Sequence, residues 1–201
     1  MLVAGCLKAP LAVSFDTTEV NRETAIFDDH DELWLFGYGS LIYKAGFEYI
    51  ERAPATIDGW VRRYWQGSHD HRGTPDAPGR VVTLVEAPGE TCLGMAYRVT
   101  PSVFGYLDHR EKNGYLRFAK TMTFADGSEE KGLVYIATPD NAAWLGEADI
   151  EAIAAQVAAS KGPSGPNRDY VLDLADALDE LEADDPHCLA VAERLRALIG
   201  R

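Results

Sequence analysis

Leu33-Trp34-Leu35-Phe36-Gly37-Tyr38-Gly39-Ser40-Leu41-Ile42 opens as an unbroken apolar run and ends in a loop with two closely spaced glycines. Four consecutive apolar side chains predict a buried strand, and the glycines predict the loop that it feeds. Outward from this stretch the chain runs first through strands and then through helices. The aromatic and β-branched residues 57–65 predict a second strand, and residues 67–79, rich in Gly, Pro, His and Asp, predict a long loop. Long loops inside compact domains are often functional. Residues 80–86 and 91–99 predict two strands joined by a turn at Pro88-Gly89. Residues 116–124 and 131–137 predict a hairpin across Asp126-Gly127.

One short helix interrupts the strands. Thr100 is placed to cap it, Pro101 suits its first turn, and Asn113-Gly114 is a stop signal. After Gly146 the pattern becomes helical. Ile150, Ile153, Ala154 and Val157 share one face between Asp149 and Ser160. Gly162-Pro163-Ser164-Gly165-Pro166 breaks that helix. Asn167 is expected to cap the next, whose stripe is Val171, Leu174, Leu178 and Leu181; Pro186 starts the last, with Leu195, Leu198 and Ile199 inward. Strands followed by helices are an α+β order, not a βαβ repeat. The expected architecture is a small mixed β-barrel-like sheet with flanking helices over residues 33–201, a single domain. Residues 1–32 have no sustained period and predict an N-terminal extension, partly disordered.

The 201 residues are 46% hydrophobic and 25% charged, as expected of a globular chain, and the formal net charge is −13. Such a chain repels phosphate backbones, so nucleic acid is not an expected partner. Residues 61–80 run against this trend, with Arg62, Arg63, Arg72 and Arg80 against Asp70 and Asp76. That stretch could draw in a small anion; each arginine could equally be a paired surface group. Cys6, Cys92 and Cys188 are odd in number and far apart, which indicates neither a disulfide framework nor a zinc site. No run approaches the roughly 18 apolar residues of a membrane span. Cys6 lacks the basic and apolar lead of a lipoprotein signal. The expected location is the cytoplasm, with no membrane partner.

In the short helix, Phe104, Leu107 and Glu111 fall on one face at 100° per residue. A carboxyl that points where apolar side chains point, at the negative end of a helix, is pushed toward its neutral form. That is what a general acid/base at neutral pH needs. A glutamate paired with arginine or folded out to solvent would share this position. Asp108 and His109 point away from Phe104 and Leu107 and are expected to be exposed. In the loop, Gly37 and Gly39 could let consecutive N–H groups converge on an anion or carbonyl oxygen, though a plain strand-end turn has the same composition. It fits neither a dinucleotide fingerprint nor a P-loop. His69-Asp70-His71 lacks further ligands nearby, and metal is not expected.

These signals gain meaning together. Phe36-Gly37-Tyr38-Gly39-Ser40-Leu41-Ile42, Trp65-Gln66-Gly67-Ser68, Asp70-His71-Arg72-Gly73 and Pro78-Gly79-Arg80-Val81-Val82-Thr83-Leu84 resemble the ChaC family of γ-glutamylcyclotransferases. So do Leu107-Asp108, Arg110-Glu111-Lys112 with Gly114-Tyr115, and Gly162-Pro163-Ser164-Gly165 with Asn167 and Tyr170. The resemblance runs from Leu33 to near Leu181. Tyr43 and Asn113 depart from it, where tryptophan and glycine are usual.

The resemblance implies a barrel-like α+β enzyme that degrades reduced glutathione to 5-oxoproline and cysteinylglycine. It implies Glu111 as the catalytic residue. It places Gly37, Tyr38, Gly39, Ser40, Leu41 and Ile42 around the γ-glutamyl group, with Tyr115, Tyr170 and Arg72 also on the substrate. The implied reaction is intramolecular: the substrate's α-amine attacks its own γ-carbonyl. Neither metal, cofactor nor covalent intermediate is then required, and the expected partner is a small molecule alone. Two alternatives stay open from sequence: a cyclotransferase for other γ-glutamyl amino acids or amines, and a non-catalytic glutathione sensor. A thiol enzyme built on Cys92 ranks last.

Overall fold

The computed structural model describes residues 16–24 and 30–200. The expected disorder of the first fifteen residues, and Cys6 among them, lies outside these. In chain order the elements are α1 (Thr18–Glu23), β1 (Leu33–Gly37), β2 (Glu51–Ser68), β3 (Gly79–Val99) and α2 (Phe104–Arg110), which a 3-10 turn at Pro101–Val103 leads in. There follow β4 (Tyr115–Phe124), β5 (Glu129–Ala137), α3 (Ile150–Ala159), the short pair β6 (Lys161–Gly162) and β7 (Gly165–Pro166), α4 (Asn167–Glu180) and α5 (Pro186–Ile199).

The sheet closes as a barrel in the order β1-β3-β2-β4-β5, with β1 parallel to β5 and the other pairs antiparallel. Closure pairs most of the edges that an open sheet would expose, with β2 and β4 meeting, among the described residues, only through Ala55 with Phe124 and Thr56 with Thr123. Both faces of its wall are packed: Leu35, Tyr97 and Leu133 on one face and Met122 on the other are all fully buried. The helical stripes face the core: Ile153, Ala154 and Val157 of α3, and Val171, Leu174 and Leu178 of α4, are buried, while Ile150 and Leu181 at the stripe ends are partly buried.

Several sequence expectations need correction. Pro88-Gly89 does not reverse the chain. Residues on both sides of it pair with the same partner, β2, so β3 is one strand interrupted by a bulge opposite Gly59. Gly59 and Gly89 both take positive φ there (79° and 90°), which is why glycine stands at each. Thr100 bonds to Ser102 and makes no cap bond, because the helix enters through its 3-10 turn. Asn167 does not cap α4; its side chain accepts from Arg80 N at 2.7 Å and donates to Arg80 O at 2.9 Å, tying the helix start to β3. Leu195 is buried, but Leu198 is 43% exposed, on a side of α5 that no described element covers.

Of the N-terminal extension, residues 16–24 are bound to the barrel. Thr17 and Asn21 are fully buried against the turn between α2 and β4.

Candidate active site

Where β1 ends, its loop turns over the mouth of the barrel. Here lies a pocket of about 270 Å³, lined by residues 36–41, by Arg72, Glu111, Tyr115 and Tyr170, and by others named below. These come from β1, the β2–β3 loop, α2, β4 and α4. The sequence-predicted residues therefore converge, with one exception: Ile42 is buried in the core and is not part of the lining.

The loop's conformation follows from its hydrogen bonds. Arg62 Nε donates to Tyr38 O at 2.5 Å, Ile42 N to Gly39 O at 2.9 Å, Lys44 N to Ser40 O at 2.8 Å, and Tyr97 OH to Leu41 O at 2.6 Å. Four successive carbonyls are thus taken by protein donors. Among the described residues, no acceptor takes the N–H groups of Gly39, Ser40 and Leu41. In a trans peptide the C=O and N–H point opposite ways, so anchoring the carbonyls leaves these N–H groups on the side of the loop away from the carbonyls' donors, in a loop that lines the pocket. Converging free N–H groups make a cradle for negative charge.

The glycines serve this loop through space, not through a left-handed backbone. Neither has positive φ. A Cβ on Gly37 would lie 2.5 Å from Leu41 Cβ, and one on Gly39 would lie 3.0 Å from Val82 Cγ2 and 3.1 Å from the Tyr170 hydroxyl. A side chain at Gly37 would collide with the loop itself, and one at Gly39 would press on Val82 and the Tyr170 hydroxyl, which would have to shift by a few tenths of an ångström.

Tyr115, from β4, and Tyr170, from α4, both bond the backbone of Val82 on β3. Tyr115 OH donates to Val82 O at 2.7 Å, and Val82 N donates to Tyr170 OH at 3.2 Å. Arg72 lies over the Tyr170 ring, 5.9 Å from its centroid, and donates to Pro166 O at 3.1 Å. Burial pushes both phenols far above their ordinary range, so both stay neutral donors at physiological pH.

Glu111 sits one residue past the end of α2, as its C-cap, with its side chain 18% exposed. Burial pushes its carboxyl above the ordinary range; Arg110 pulls it back, and Asp70 adds to the push. Arg110 Nε is 3.4 Å from Glu111 Oε1, but the guanidinium is chiefly occupied elsewhere, donating to Ala45 O at 2.6 Å, Ser40 Oγ at 2.9 Å and Lys44 O at 3.1 Å. Arg110 therefore ties the helix end to the loop. Sequence reasoning gave it no role of its own, since an arginine beside a glutamate on a helix reads as an ordinary surface pair.

Asp108 is the clearest reversal. Expected to be exposed, it is 2% exposed and receives Arg117 Nε at 2.9 Å, Arg117 Nη2 at 2.6 Å and Tyr135 OH at 2.7 Å. Its partner lies on β4, so the helix face toward β4 is buried as well as the apolar one. Asp108 thereby fixes α2, and with it Glu111, to the barrel wall. His109 is exposed, as expected. Arg62, read as part of a basic stretch, is 2% exposed; besides Tyr38 O it binds Leu93 O and, at 2.9 Å, Asp185 at the start of α5. Arg80 is likewise buried, donating to Tyr64 O and Gly146 O. Of the basic stretch, Arg72 is the member that reaches the pocket.

Lys44, Arg72 and Arg110 stand in the lining against the carboxyls of Asp70 and Glu111, so the pocket is less acidic than the protein around it. No group of three or more His, Cys, Asp or Glu side chains is arranged to hold a metal among the described residues. Burial pushes the Cys92 thiol up to about 11 and the Cys188 thiol well above its ordinary value, which leaves both inert at neutral pH.

Comparison with known proteins adds to this geometry. The family model described as ChaC-like protein matches residues 33–198. The chain is 44% identical over 180 residues to gamma-glutamylcyclotransferase 2-3 of Arabidopsis thaliana, covering 84% of this chain and 90% of that protein. It is 43% identical over 178 residues to glutathione-specific gamma-glutamylcyclotransferase 1 of Danio rerio, covering 83% and 90%. A crystal structure of the yeast cyclotransferase specific to glutathione superposes with a TM-score of 0.77 at 31% identity, over 84% of this chain and 97% of that one.

Proposed function

The chain belongs to the ChaC-like protein family, and from that premise we propose that it is a γ-glutamylcyclotransferase that degrades reduced glutathione to 5-oxoproline and cysteinylglycine, with Glu111 as general acid/base. The observation that carries the reading is a carboxyl held above its ordinary range in the same pocket as a loop of unengaged N–H groups. The relatives named for glutathione specificity support the choice of substrate.

The chemistry follows from these groups. The γ-glutamyl amine is mostly protonated near neutral pH, its ordinary pKa being about 8. Glu111 takes a proton from it, freeing the lone pair to attack the γ-carbonyl four bonds away and close a five-membered ring. Because nucleophile and electrophile belong to one molecule, the enzyme accelerates the step chiefly by folding the substrate into an attack conformer. Gly39, Ser40 and Leu41 N–H groups receive negative charge on the substrate, either its α-carboxylate or the oxyanion that develops as the ring closes. Glu111 then returns its proton to the departing amide nitrogen, the ring nitrogen sheds the second proton that its new bond makes acidic, and the amine of cysteinylglycine takes that proton up as it leaves, so that 5-oxoproline remains. Lys44 and Arg72 offer cations to the tripeptide's carboxylates at the pocket rim. The cytoplasm, where glutathione is abundant and reduced, is the compartment that suits this reaction.

The test is incubation of the purified protein with reduced glutathione, with γ-glutamylcysteine and with γ-glutamyl amino acids, quantifying 5-oxoproline by mass spectrometry. Equimolar 5-oxoproline and cysteinylglycine from glutathione is the expected result. Turnover of the shorter substrates at equal efficiency would overturn the glutathione assignment, and no turnover by a folded protein would overturn the enzymatic one.

A further inference from the structure

The segment before the family match makes an unusual set of contacts. β4 pairs with β2 only at its far end, through Ala55 with Phe124 and Thr56 with Thr123. Its near end, where Tyr115 and Arg117 lie, therefore has no strand on that side among the described residues, although both are buried. Unpaired backbone groups there would be costly. Asn21 supplies the missing partner. Its Nδ2 donates to Tyr115 O at 2.9 Å, and its Oδ1 accepts from Arg117 N at 3.0 Å. One side-chain amide thus stands where a neighbouring strand's peptide would stand.

Thr17 completes the arrangement one step closer to the pocket. Its N–H donates to Lys112 O at 2.9 Å, while its hydroxyl lies 3.0 Å from that oxygen and 2.8 Å from Tyr115 O. Asp16 forms a bridge with Asn113. The segment thereby grips the chain at 112, 113, 115 and 117, on both sides of the tight turn at Gly114, whose φ is +86°. Within and beside this span lie Glu111 and Tyr115, which both line the pocket. Thr17 and Asn21 are 0% exposed, and both lie outside residues 33–198 of the family match.

We propose that residues 16–24 are a positioning clamp for the Glu111–Tyr115 turn, and so part of the working active site. The inference rests on the reading of Glu111 as the acid/base. Thr17 and Asn21 touch no substrate; they act by fixing the peptide groups that follow Glu111 and Tyr115. A carboxyl that must meet an amine is sensitive to such support, since a misplacement of about 1 Å can cost on the order of 100-fold in rate.

The experiment uses the full chain with Asn21→Leu, which removes both amide bonds, Thr17→Val, which removes the hydroxyl, and Thr17→Ser, which restores it. Turnover of glutathione is measured well below each variant's melting temperature. Asn21→Leu and Thr17→Val are expected to lower kcat by about tenfold or more with KM changed less than about threefold, and Thr17→Ser to return kcat to near the wild-type value. A lowered melting temperature with unchanged kcat would overturn the clamp and leave a purely structural brace. If Asn21→Leu fails to fold, the Thr17 pair decides alone. An inactive wild type would instead overturn the reading of the site, an outcome distinct from an active wild type with fully active variants.

Discussion

Replacing Glu111 by glutamine should separate activity from stability in opposite directions. The amide keeps the shape of the side chain but cannot carry the proton. General acid/base catalysis contributes about 100- to 10,000-fold, so kcat should fall by that order. The fold should survive, because Arg110 keeps its bonds to Ala45 O, Ser40 Oγ and Lys44 O when the carboxyl is gone. Stability should rise. A carboxyl whose folded pKa lies above its unfolded one, as burial makes Glu111, binds its proton more tightly in the native state. Its contribution is therefore lost as pH rises through the unfolded value near 4.3 and up to the folded value, and above that the penalty is constant. Each tenfold tightening of proton binding corresponds to about 1.4 kcal/mol, reduced here by screening at a side chain 18% exposed. Each kcal/mol recovered raises Tm by about 2–4 °C for a domain of this size. Thermal melts at pH 7 should show the variant above wild type, and melts below pH 4 should bring the two together. 5-Oxoproline release supplies the activity measurement. A variant that melts lower than wild type at pH 7, or that keeps turnover within tenfold, would refute the argument.

Gly39→Ala inserts a methyl 3.0 Å from Val82 and 3.1 Å from the Tyr170 hydroxyl, so it should cost about 1–3 kcal/mol in overpacking and raise KM by displacing the loop's N–H groups, as steady-state kinetics would reveal. Asp108→Asn leaves Arg117 buried without its carboxylate; a loss of about 3–5 kcal/mol in urea unfolding is expected, and a loss under 1 kcal/mol would contradict the assigned burial. Iodoacetamide at pH 7 should leave activity intact, because burial raises both the Cys92 and Cys188 thiols; rapid inactivation matched by labelling of Cys92 would revive a thiol mechanism.

What could be read from sequence was whatever depends on local pattern. The apolar run at Leu33–Phe36, the glycine loop after it, the hairpin at Asp126-Gly127 and the stripes of α3 and α4 each carry their own period or turn chemistry, so the α+β order and the barrel were legible. Glu111 was legible because helical spacing aligns it with Leu107 and Phe104. Facing within β2 was not. Ala55 and Ile57 are buried at odd positions, whereas Arg62, Tyr64 and Gln66 are buried at even ones, because the irregularity at Gly59 shifts the register between Asp58 and Trp60. A strand alternates with period two, so one such shift turns every later side chain over. That shift, invisible in composition, sends Arg62 inward to hold the Tyr38 carbonyl. Asp108 escaped for the complementary reason: its burial depends on Arg117 and Tyr135, distant in sequence and brought together only when β4 and β5 pair. The sequence by itself determined most of the elements and pointed to the proposed acid/base and the loop. Only the tertiary structure decided which buried charges hold them, and that the N-terminal segment fills the open edge of β4, because a buried polar group declares itself only through the partner that satisfies it.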